Sequence, residues 1–262
     1  MAATREKISP FELSMRMLKD ELFKKDPVML GVIVAVAVVL ITIVIYKLLS
    51  RGRGGRNSVL LVGLSGAGKT LLFSRLMYNK DAVTFTSTKE NAGSHMTLSK
   101  KVVNLVDIPG NIRQRQQYLD QYITQARGLV FVIDSAAFQK EVKEVAEYLY
   151  NILSNATFYK MSPKLLIMCN KQDITLSKSA QVIKTQLEKE MNTVRKTKAA
   201  ALGSTDDSSS SSEIFLGKKD KPFEFSHLSK FKVEFVECST KPEADEDEPE
   251  IGPLQEWLAS RL

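Results

Sequence analysis

The chain has 262 residues, with 37 lysine and arginine residues against 30 acidic residues, 44% hydrophobic residues, two cysteines and two histidines. This composition excludes a disulfide-stapled secreted module, a histidine-rich metal protein and a wholly disordered chain. When residues 1–57 and the polar stretches 195–230 and 241–250 are set aside, the remainder has the length of one ordinary globular domain.

The segment from Val28 to Tyr46 carries no charge and consists almost wholly of Val, Ile, Leu, Ala and Met. As a helix it would rise about 28 Å, close to the bilayer core of about 30 Å. A core strand would be shorter, a surface helix would have a polar face, and a signal peptide would not follow a long charge-rich segment. The sequence therefore predicts a transmembrane helix over residues 28–46, between a short N-terminal segment (1–27), expected to be lumenal, and a basic linker (47–57), expected to be cytosolic.

The net charge of +7 raises the question of nucleic acid. The densest basic cluster without acids, Lys47, Arg51, Arg53 and Arg56, directly follows the apolar segment. We interpret it as the flank of a membrane helix rather than a nucleic-acid footprint. We therefore expect no sequence-specific nucleic-acid binding.

Short apolar runs and helical stretches alternate through the rest of the chain. The runs that predict buried strands are Ser58 to Val62, Val102 to Ile108, Gly128 to Ile133, Lys164 to Cys169 and Lys232 to Val236. The predicted helices are Lys69 to Tyr78, Arg113 to Ala126, Ala137 to Leu153, Ser177 to Thr193 and Pro253 to Arg261. This alternation is typical of an α/β fold with a mostly parallel sheet covered on both faces. Residues 96–99 add an antiparallel edge strand, which makes six strands.

Two polar stretches interrupt this pattern. Residues 195–230 are rich in Ser and poor in apolar side chains, so we expect a disordered insertion there. The acidic run from Glu243 to Glu250 is interpreted as a solvated loop.

A phosphate-binding loop follows the first predicted strand. Residues 63–70, GLSGAGKT, fit the pattern G-x-x-x-x-G-K-[ST] between a strand and a helix. Backbone N–H groups of such a loop cradle the β-phosphate, while the lysine neutralises the β and γ oxygens. The predicted phosphate-binding residues are Gly63, Ser65, Gly66, Ala67, Gly68, Lys69, Thr70 and, from the next motif, Gly110.

The sequence Asp-Ile-Pro-Gly at 107–110 ends a predicted strand. There Asp107 can reach the shell of a Mg²⁺ ion and the Gly110 N–H can meet a γ-phosphate. The Thr70 hydroxyl is the expected direct ligand of Mg²⁺. Spacing does not decide which of Thr84, Thr86, Ser87 and Thr88 completes the metal site, and we favour Thr86.

Two further strand ends predict a guanine pocket. Asn170, Lys171 and Asp173 follow one strand, and the Asp173 carboxylate can accept from the two neighbouring donors that guanine has and adenine lacks. Cys238 and Ser239 follow another strand, where a backbone N–H can face the guanine carbonyl. GTP is therefore the expected nucleotide. We interpret Cys169 and Cys238 as packing residues and not as a redox pair.

These four motifs in this order resemble those of the small Ras-like and Arf-like GTPases over residues 58–262. The N-terminal apolar segment, the phrases VFVIDSAAFQKEVKEVAEYLY and CNKQDITLSKSAQVIKTQLEKE and the Ser-rich insertion before KVEFVECS resemble the family of beta subunits of the signal recognition particle receptor. That resemblance implies an endoplasmic reticulum membrane protein with a cytosolic GTPase domain. It also implies GTP-dependent anchoring of the receptor's alpha subunit while ribosomes are delivered to the translocon.

The sequence departs from the Ras-like pattern after Gly110. The residue there is Asn111, where Ras-like enzymes have a glutamine that orients the attacking water. Because asparagine is one methylene shorter, we expect weak or partner-dependent GTP hydrolysis. Arg113 and Arg115 could stabilise charge, but surface positions on a helix are the preferred interpretation.

Two other functions stay open at this point. One is an actively cycling Arf-like GTPase that regulates membrane traffic. The other is a membrane scaffold whose nucleotide pocket serves only stability.

Overall fold

The computed structural model describes residues 27–51, 56–80, 83–203, 214–241 and 248–262. Contacts divide the chain into a unit of residues 1–54 and a unit of residues 55–262. Residues 1–26 of the predicted N-terminal segment and residues 52–55 of the predicted basic linker lie outside the described residues.

The first unit contains one described helix, α1, from Pro27 to Arg51. It includes the whole predicted segment 28–46. Exposure is described for Gly31 and for residues 34–45, and all of these residues are exposed. The Thr42 hydroxyl donates to the carbonyl oxygen of Val38 at 2.8 Å, so this polar group is satisfied within the helix. Within the described part of the chain, no helix combines the length and the apolar character that crossing a membrane requires.

The second unit is built on a six-stranded sheet in the order β2-β3-β1-β4-β5-β6. The strands are β1 Ser58–Val62, β2 Asn91–Met96, β3 Val102–Asp107, β4 Ala126–Asp134, β5 Lys164–Asn170 and β6 Val233–Glu237. All neighbouring pairs are parallel except β2 and β3. The prediction of a mostly parallel six-stranded α/β sheet is confirmed.

The antiparallel edge strand lies earlier in the chain than predicted. Its last residue is Met96, and residues 97–101 form the turn to β3. The Thr97 N–H donates to the Lys101 carbonyl at 2.9 Å, and Lys100 has a positive φ of 59°. The prediction of a strand is therefore wrong for residues 97–99, because the chain reverses its direction there.

Helices cover both faces of the sheet. They are α2 Lys69–Tyr78, α3 Arg115–Tyr122, α4 Phe138–Ser154, α5 Ala156–Met161, α6 Ala180–Gly203 and α7 Gly252–Arg261. The short helix α5 was not predicted. It begins because the Asn155 side chain caps it, accepting from the backbone N–H groups of Thr157 and Phe158. The predicted helix 113–126 is shorter, because a 3₁₀ turn over Ile123–Gln125 leads directly into β4.

The core has two parts, one on each face of the sheet. Phe131, Leu149 and Phe158 belong to one buried cluster, and Leu72 and Trp257 belong to the other. Both clusters and all six strands lie within residues 55–262. A unit with its own two-sided core is expected to fold alone.

The predicted insertion is ordered wherever the structure describes it. Helix α6 continues to Gly203, ten residues beyond its predicted end. After the insertion, apolar side chains return to the core, and those of Leu216, Phe223, Phe225 and Leu228 are buried. The expectation of disorder is wrong for 195–203 and 214–230, and residues 204–213 lie outside the described residues.

A buried arginine explains this order. The guanidinium of Arg195 donates to the backbone carbonyls of Leu216 at 3.2 Å, Lys218 at 3.0 Å and Lys221 at 2.7 Å. Buried carbonyls must be paired, and one arginine supplies several fixed donors. The average composition of residues 195–230 does not predict this contact, because the contact depends on Arg195 alone.

Candidate functional site

The predicted motifs meet at one end of the sheet. The phosphate loop follows β1, and Asp107, Asp134, Asn170 and Glu237 are the last residues of β3, β4, β5 and β6. Because these strands are parallel, their carboxyl ends lie side by side. We call this end the carboxyl end of the sheet.

A cavity of about 160 Å³ opens between the phosphate loop and two neighbouring loops. Its lining consists of Ser65, Gly66, Gly68, Lys69, Thr70, Thr84, Phe85, Thr86, Ser87, Ile108, Pro109 and Gly110. Most of the predicted phosphate-binding residues are thereby brought together with Gly110 and Thr86. Gly63 and Ala67 are not part of this lining, and Ala67 is buried beneath the loop.

Two glycines allow the loops to approach closely. A Cβ atom at Gly110 would lie 2.5 Å from the backbone nitrogen of Ser65 and 2.8 Å from Nζ of Lys69. Gly68 has a φ of +95°, and a Cβ there would lie 2.4 Å from Nδ2 of Asn170. A side chain at residue 110 would therefore fill the space beside the phosphate loop, and one at residue 68 would displace the Asn170 side chain.

Lys69 brings a buried positive charge to the cavity. Its side chain is 5% exposed, and Nζ donates to the Leu64 carbonyl at 2.7 Å. Burial lowers the pKa of Lys69 to about 8; the Asp107 charge opposes this shift and Arg115 adds to it. A buried ammonium group that is destabilised in this way gains from an anionic ligand.

Asp107 is held in a fixed orientation. Its Oδ2 accepts from the Thr70 hydroxyl at 2.8 Å and from Nδ2 of Asn91 at 3.1 Å. Its Oδ1 is buried and has no hydrogen-bond partner among the described residues. Burial raises the pKa of Asp107, and both hydrogen bonds and the Lys69 charge oppose this rise. A carboxylate and hydroxyl oxygens are the hard donors that Mg²⁺ prefers.

The sequence favoured Thr86 as the residue that completes the metal site, but a different hydroxyl contacts Thr70. Thr86 lines the cavity, but Oγ of Ser87 lies 2.9 Å from Oγ1 of Thr70. Asn91 was also missed. It lies opposite Asp107 in the antiparallel register, so only the correct position of β2 could have revealed it.

On the guanine side, Asn170 is fully buried and its amide is completely engaged. Nδ2 donates to the Ala67 carbonyl at 2.8 Å and to the Thr240 hydroxyl at 3.2 Å. Oδ1 accepts from the Thr240 N–H at 3.1 Å. Asn170 therefore joins the phosphate loop to the loop after β6. In the described structure it acts as a positioning residue, and its contact with guanine stays a prediction.

We expect Asn170→Ala to lower the free energy of unfolding by about 3 kcal/mol, because it leaves a buried carbonyl and a buried N–H unpaired. Urea titration of residues 55–262 measures this value. The matched Thr240→Val variant removes one hydroxyl and should cost only about 1 kcal/mol. Equal losses in the two variants would contradict the central position of Asn170.

Asp173 and Lys171 lie beside it with separate partners. The Ser239 hydroxyl donates to Oδ1 of Asp173 at 2.6 Å. Nζ of Lys171 forms an ion pair with Oδ2 of Asp134 at 2.5 Å. Asp134 was not predicted, although it ends β4 at the same end of the sheet. The half-buried Asp173 carboxylate is thus oriented by the loop that follows β6.

Comparison with known proteins supports this interpretation of the fold and the motifs. The signal recognition particle receptor beta subunit family matches residues 55–233. The human signal recognition particle receptor subunit beta is 47% identical over 245 residues, which cover 92% of this chain and 90% of the human protein. The chain belongs to the signal recognition particle receptor beta subunit family.

Solved structures agree with this family membership. The structure of the mammalian SRP receptor is similar with a TM-score of 0.68 and 44% identity, covering 78% of this chain and all of that one. The Chaetomium thermophilum receptor subunit SRb, solved with GTP and SRX, shares the fold at a TM-score of 0.62 and 22% identity, with the same coverage. The same SRb with GDP and Mg has a TM-score of 0.58 at 24% identity, covering 78% of this chain and 98% of that one.

In this member of the beta subunit family, three successive N–H groups after β6 are engaged within the protein. Cys238 donates to the Cys169 carbonyl at 3.0 Å, and Ser239 donates to the Glu250 carbonyl at 3.0 Å. The Thr240 N–H donates to Asn170. The predicted backbone donors of Cys238 and Ser239 to guanine are thus paired elsewhere in the described structure.

The two cysteines are packing residues on opposite faces of the sheet. Cys169 belongs to one buried cluster and Cys238 to the other. Burial raises the pKa of each thiol to about 12. The interpretation that they form no redox pair agrees with this placement.

Asn111 does not line the cavity. Its side chain is exposed, and Oδ1 accepts from the backbone N–H of Arg113 at 3.0 Å. Arg113 is exposed, as predicted. Arg115 differs from the prediction because it is buried. Its guanidinium pairs with Glu144 at 3.0 Å and lies 4.2 Å above the Tyr148 ring.

Proposed function

We propose that this protein is the membrane-anchored GTP-binding subunit of the signal recognition particle receptor. In this role it binds the alpha subunit at the endoplasmic reticulum in a GTP-dependent way during co-translational targeting. The observation that carries the proposal is the junction made by Asn170. It joins the phosphate loop, with its buried Lys69, to the end of β5, and Asp173 follows three residues later in the chain.

The phosphate end of the site has residues suited to each part of a magnesium nucleotide. The N–H groups of residues 65–70 and Gly110 would surround the phosphates, and Lys69 would neutralise them. Thr70, Asp107 and a hydroxyl of the 84–88 loop would hold Mg²⁺, which would neutralise negative charge on the phosphates. The unpartnered Oδ1 of Asp107 fits such an ion or its water shell.

The proposed third oxygen donor comes from Thr86 or Ser87. We expect Ser87→Ala to raise the Mg²⁺ concentration needed for tight GTP binding about tenfold. The reason is that the Ser87 Oγ is the hydroxyl in contact with Thr70. Nucleotide dissociation measured against Mg²⁺ concentration tests this. Thr86→Ala is the matched control. A larger effect in that variant would favour Thr86 as the Mg²⁺ ligand, as the sequence predicted.

At the other end, Asp173 would accept from the two adjacent donors of guanine. Ser239 would keep the carboxylate oriented through its 2.6 Å hydrogen bond. Lys171 and Asn170 would position the loop rather than contact the base. Adenine offers a different donor pattern, so the site favours GTP over ATP.

The alpha subunit is proposed to bind where the nucleotide would order nearby loops. Val83, Phe85 and Ile112 are 89%, 84% and 66% exposed beside the cavity. Large apolar side chains with such exposure mark an interaction surface. The Chaetomium thermophilum SRb was solved in complex with SRX, and the corresponding partner here would be the alpha subunit's N-terminal domain. Binding to the ribosome or to the translocon is included in the same proposal.

Membrane anchoring is proposed for helix α1. Its residues 28–46 carry no charge, and its described apolar side chains, such as Leu40 and Ile41, are 57% and 56% exposed. In water such exposure is unfavourable, whereas in hydrocarbon it is favourable. The nucleotide site would then face the cytosol, where GTP is available.

Single-turnover hydrolysis of GTP by residues 55–262 tests the proposed switch. It is measured with and without the alpha subunit's N-terminal domain, while the retention of that domain is recorded. We expect slow hydrolysis, because Asn111 lies outside the cavity lining, and a stable complex with GTP only. Rapid hydrolysis followed by release of the domain would support an actively cycling Arf-like GTPase. Binding that ignores the nucleotide would support a scaffold.

A further inference from the structure

The amino end of the sheet collects basic side chains from every parallel strand. Arg56 precedes β1, Lys101 precedes β3, Arg127 is the second residue of β4, Lys164 begins β5 and Lys232 precedes β6. Lys160, in α5, lies just before β5. All six side chains are exposed. We call these six residues the amino-end surface.

Contacts of the described residues show that these positions are neighbours. The Arg56 guanidinium donates to the carbonyl of Met161, at the end of α5, at 2.5 Å. The register pairs Ser58 with Ala126 and Gly128 with Lys164, which places three strand starts side by side. The Lys164 ammonium donates to the carbonyl of Arg261, the last residue of α7.

The positive charge of this surface is only partly compensated. Glu234, the second residue of β6, accepts from Lys232 at 3.5 Å and from Arg261 at 3.0 Å. By contrast, Asp107, Asp134 and Asp173 lie at the carboxyl end. Among the described residues named here, basic side chains therefore outnumber acidic ones at the amino end, although basic residues are dispersed in the sequence.

We infer that the amino-end surface docks on anionic lipid headgroups of the membrane in which the chain is anchored. This inference rests on the proposed anchoring by α1. Residues 52–57 can span at most about 25 Å between Arg51 and β1. The chain enters the sheet at its amino end, where β1 begins, and the nucleotide cavity lies at the opposite end of the sheet.

Lipid is favoured over nucleic acid because the surface has a tether to the proposed membrane helix and repeats its positive charge along one end of the sheet. Each lysine or arginine near an anionic surface strengthens binding about fivefold. A tether adds effective concentration, so weak intrinsic binding is sufficient. Screening within about 10 Å at 0.1 M salt makes such docking sensitive to ionic strength.

Co-sedimentation of residues 55–262 with vesicles tests the inference without the anchor. We expect binding to vesicles of phosphatidylcholine and phosphatidylserine (about 70:30) at low salt, and none to phosphatidylcholine alone. The triple variant Lys101→Gln, Arg127→Gln and Lys160→Gln should weaken binding about a hundredfold. The matched triple variant Lys140→Gln, Lys143→Gln and Lys178→Gln removes the same charge at the carboxyl end and should weaken it less than about threefold.

Three results would overturn the inference. They are equal loss in both triple variants, no binding to anionic vesicles at low salt, or tighter binding to a structured RNA than to the vesicles at the same salt. GTP affinity is measured in parallel on all variants. Normal GTP binding together with any of these results would refute the docking surface alone. Absent GTP binding in the unmodified domain would refute the proposed function.

Discussion

The Lys69→Ala variant is expected to lose GTP affinity by about a hundredfold or more, because it removes a buried positive charge at the phosphate cradle. Nζ lies where the phosphate loop and Gly110 meet, and a Cβ at Gly110 would come within 2.8 Å of it. Equilibrium binding of a fluorescent GTP analogue to residues 55–262 measures the loss. Folding should be little affected, since the buried ammonium group is itself unfavourable.

The pH dependence of binding identifies the charge as the cause. In the free domain, burial lowers the pKa of Lys69 to about 8. An adjacent phosphate favours the charged form, so binding above pH 8 must take up a proton. GTP affinity should therefore fall with rising pH, by up to about tenfold per pH unit above 8. The ligand's own titration is removed by comparison with Lys69→Ala.

The same depressed pKa has a consequence for stability. Between pH 8 and the unfolded value of 10.5, the unfolded chain binds more protons than the folded one at this residue. This contribution to stability therefore increases as the pH rises through that window. The Lys69→Ala variant lacks this pH-dependent contribution to stability, because alanine has no ionisable side chain. A pH dependence of GTP binding that is identical in both proteins would show that Lys69 does not carry the charge.

Most of the fold could be predicted from the sequence because its strands are buried on both faces. A run such as Ser58–Val62 is apolar throughout and lies between a linker and a glycine, so its type and end are clear. The edge strand β2 alternates between half-buried and exposed residues and contains Gly and Asn. It has no continuous apolar signal, and the prediction moved it to the neighbouring turn.

The end of α6 and the segment after it show a different limit. Local composition predicts disorder when few apolar residues are present. Here four of them are buried, and Arg195 pairs with three carbonyls more than twenty residues away in the chain. Contacts at this separation are invisible to any local pattern.

In the candidate site, the motif residues were found and their partners were not. Two motifs identify Lys69, Thr70 and Asp107, because the spacing within each motif and its position next to a strand together determine which residues they are. Asn91 and Thr240 become visible only through register and loop geometry. Asn170 shows a related limit, because its motif is visible in the sequence but its support of the phosphate loop is not.

The Asp173→Asn variant is expected to lose GTP affinity by about a thousandfold, because an amide donor would oppose a donor of guanine. The wild-type carboxylate only accepts, and Ser239 occupies Oδ1 at 2.6 Å. Xanthosine triphosphate has a carbonyl in place of the exocyclic amino group, so the amide can donate to it. Its affinity should therefore rise while that of GTP falls, and competition titrations with both nucleotides measure the exchange.

The exchange of preference separates recognition from misfolding, because an unfolded variant would bind neither nucleotide. Ser239→Ala is the matched control. It leaves the carboxylate in place but removes its orienting hydroxyl, so GTP affinity should fall by about tenfold with no gain for xanthosine triphosphate. Equal GTP affinity in Asp173→Asn and the unmodified domain would refute guanine recognition by this carboxylate. The phosphate cradle would then be able to bind other nucleoside triphosphates, because none of its contacts depends on the base.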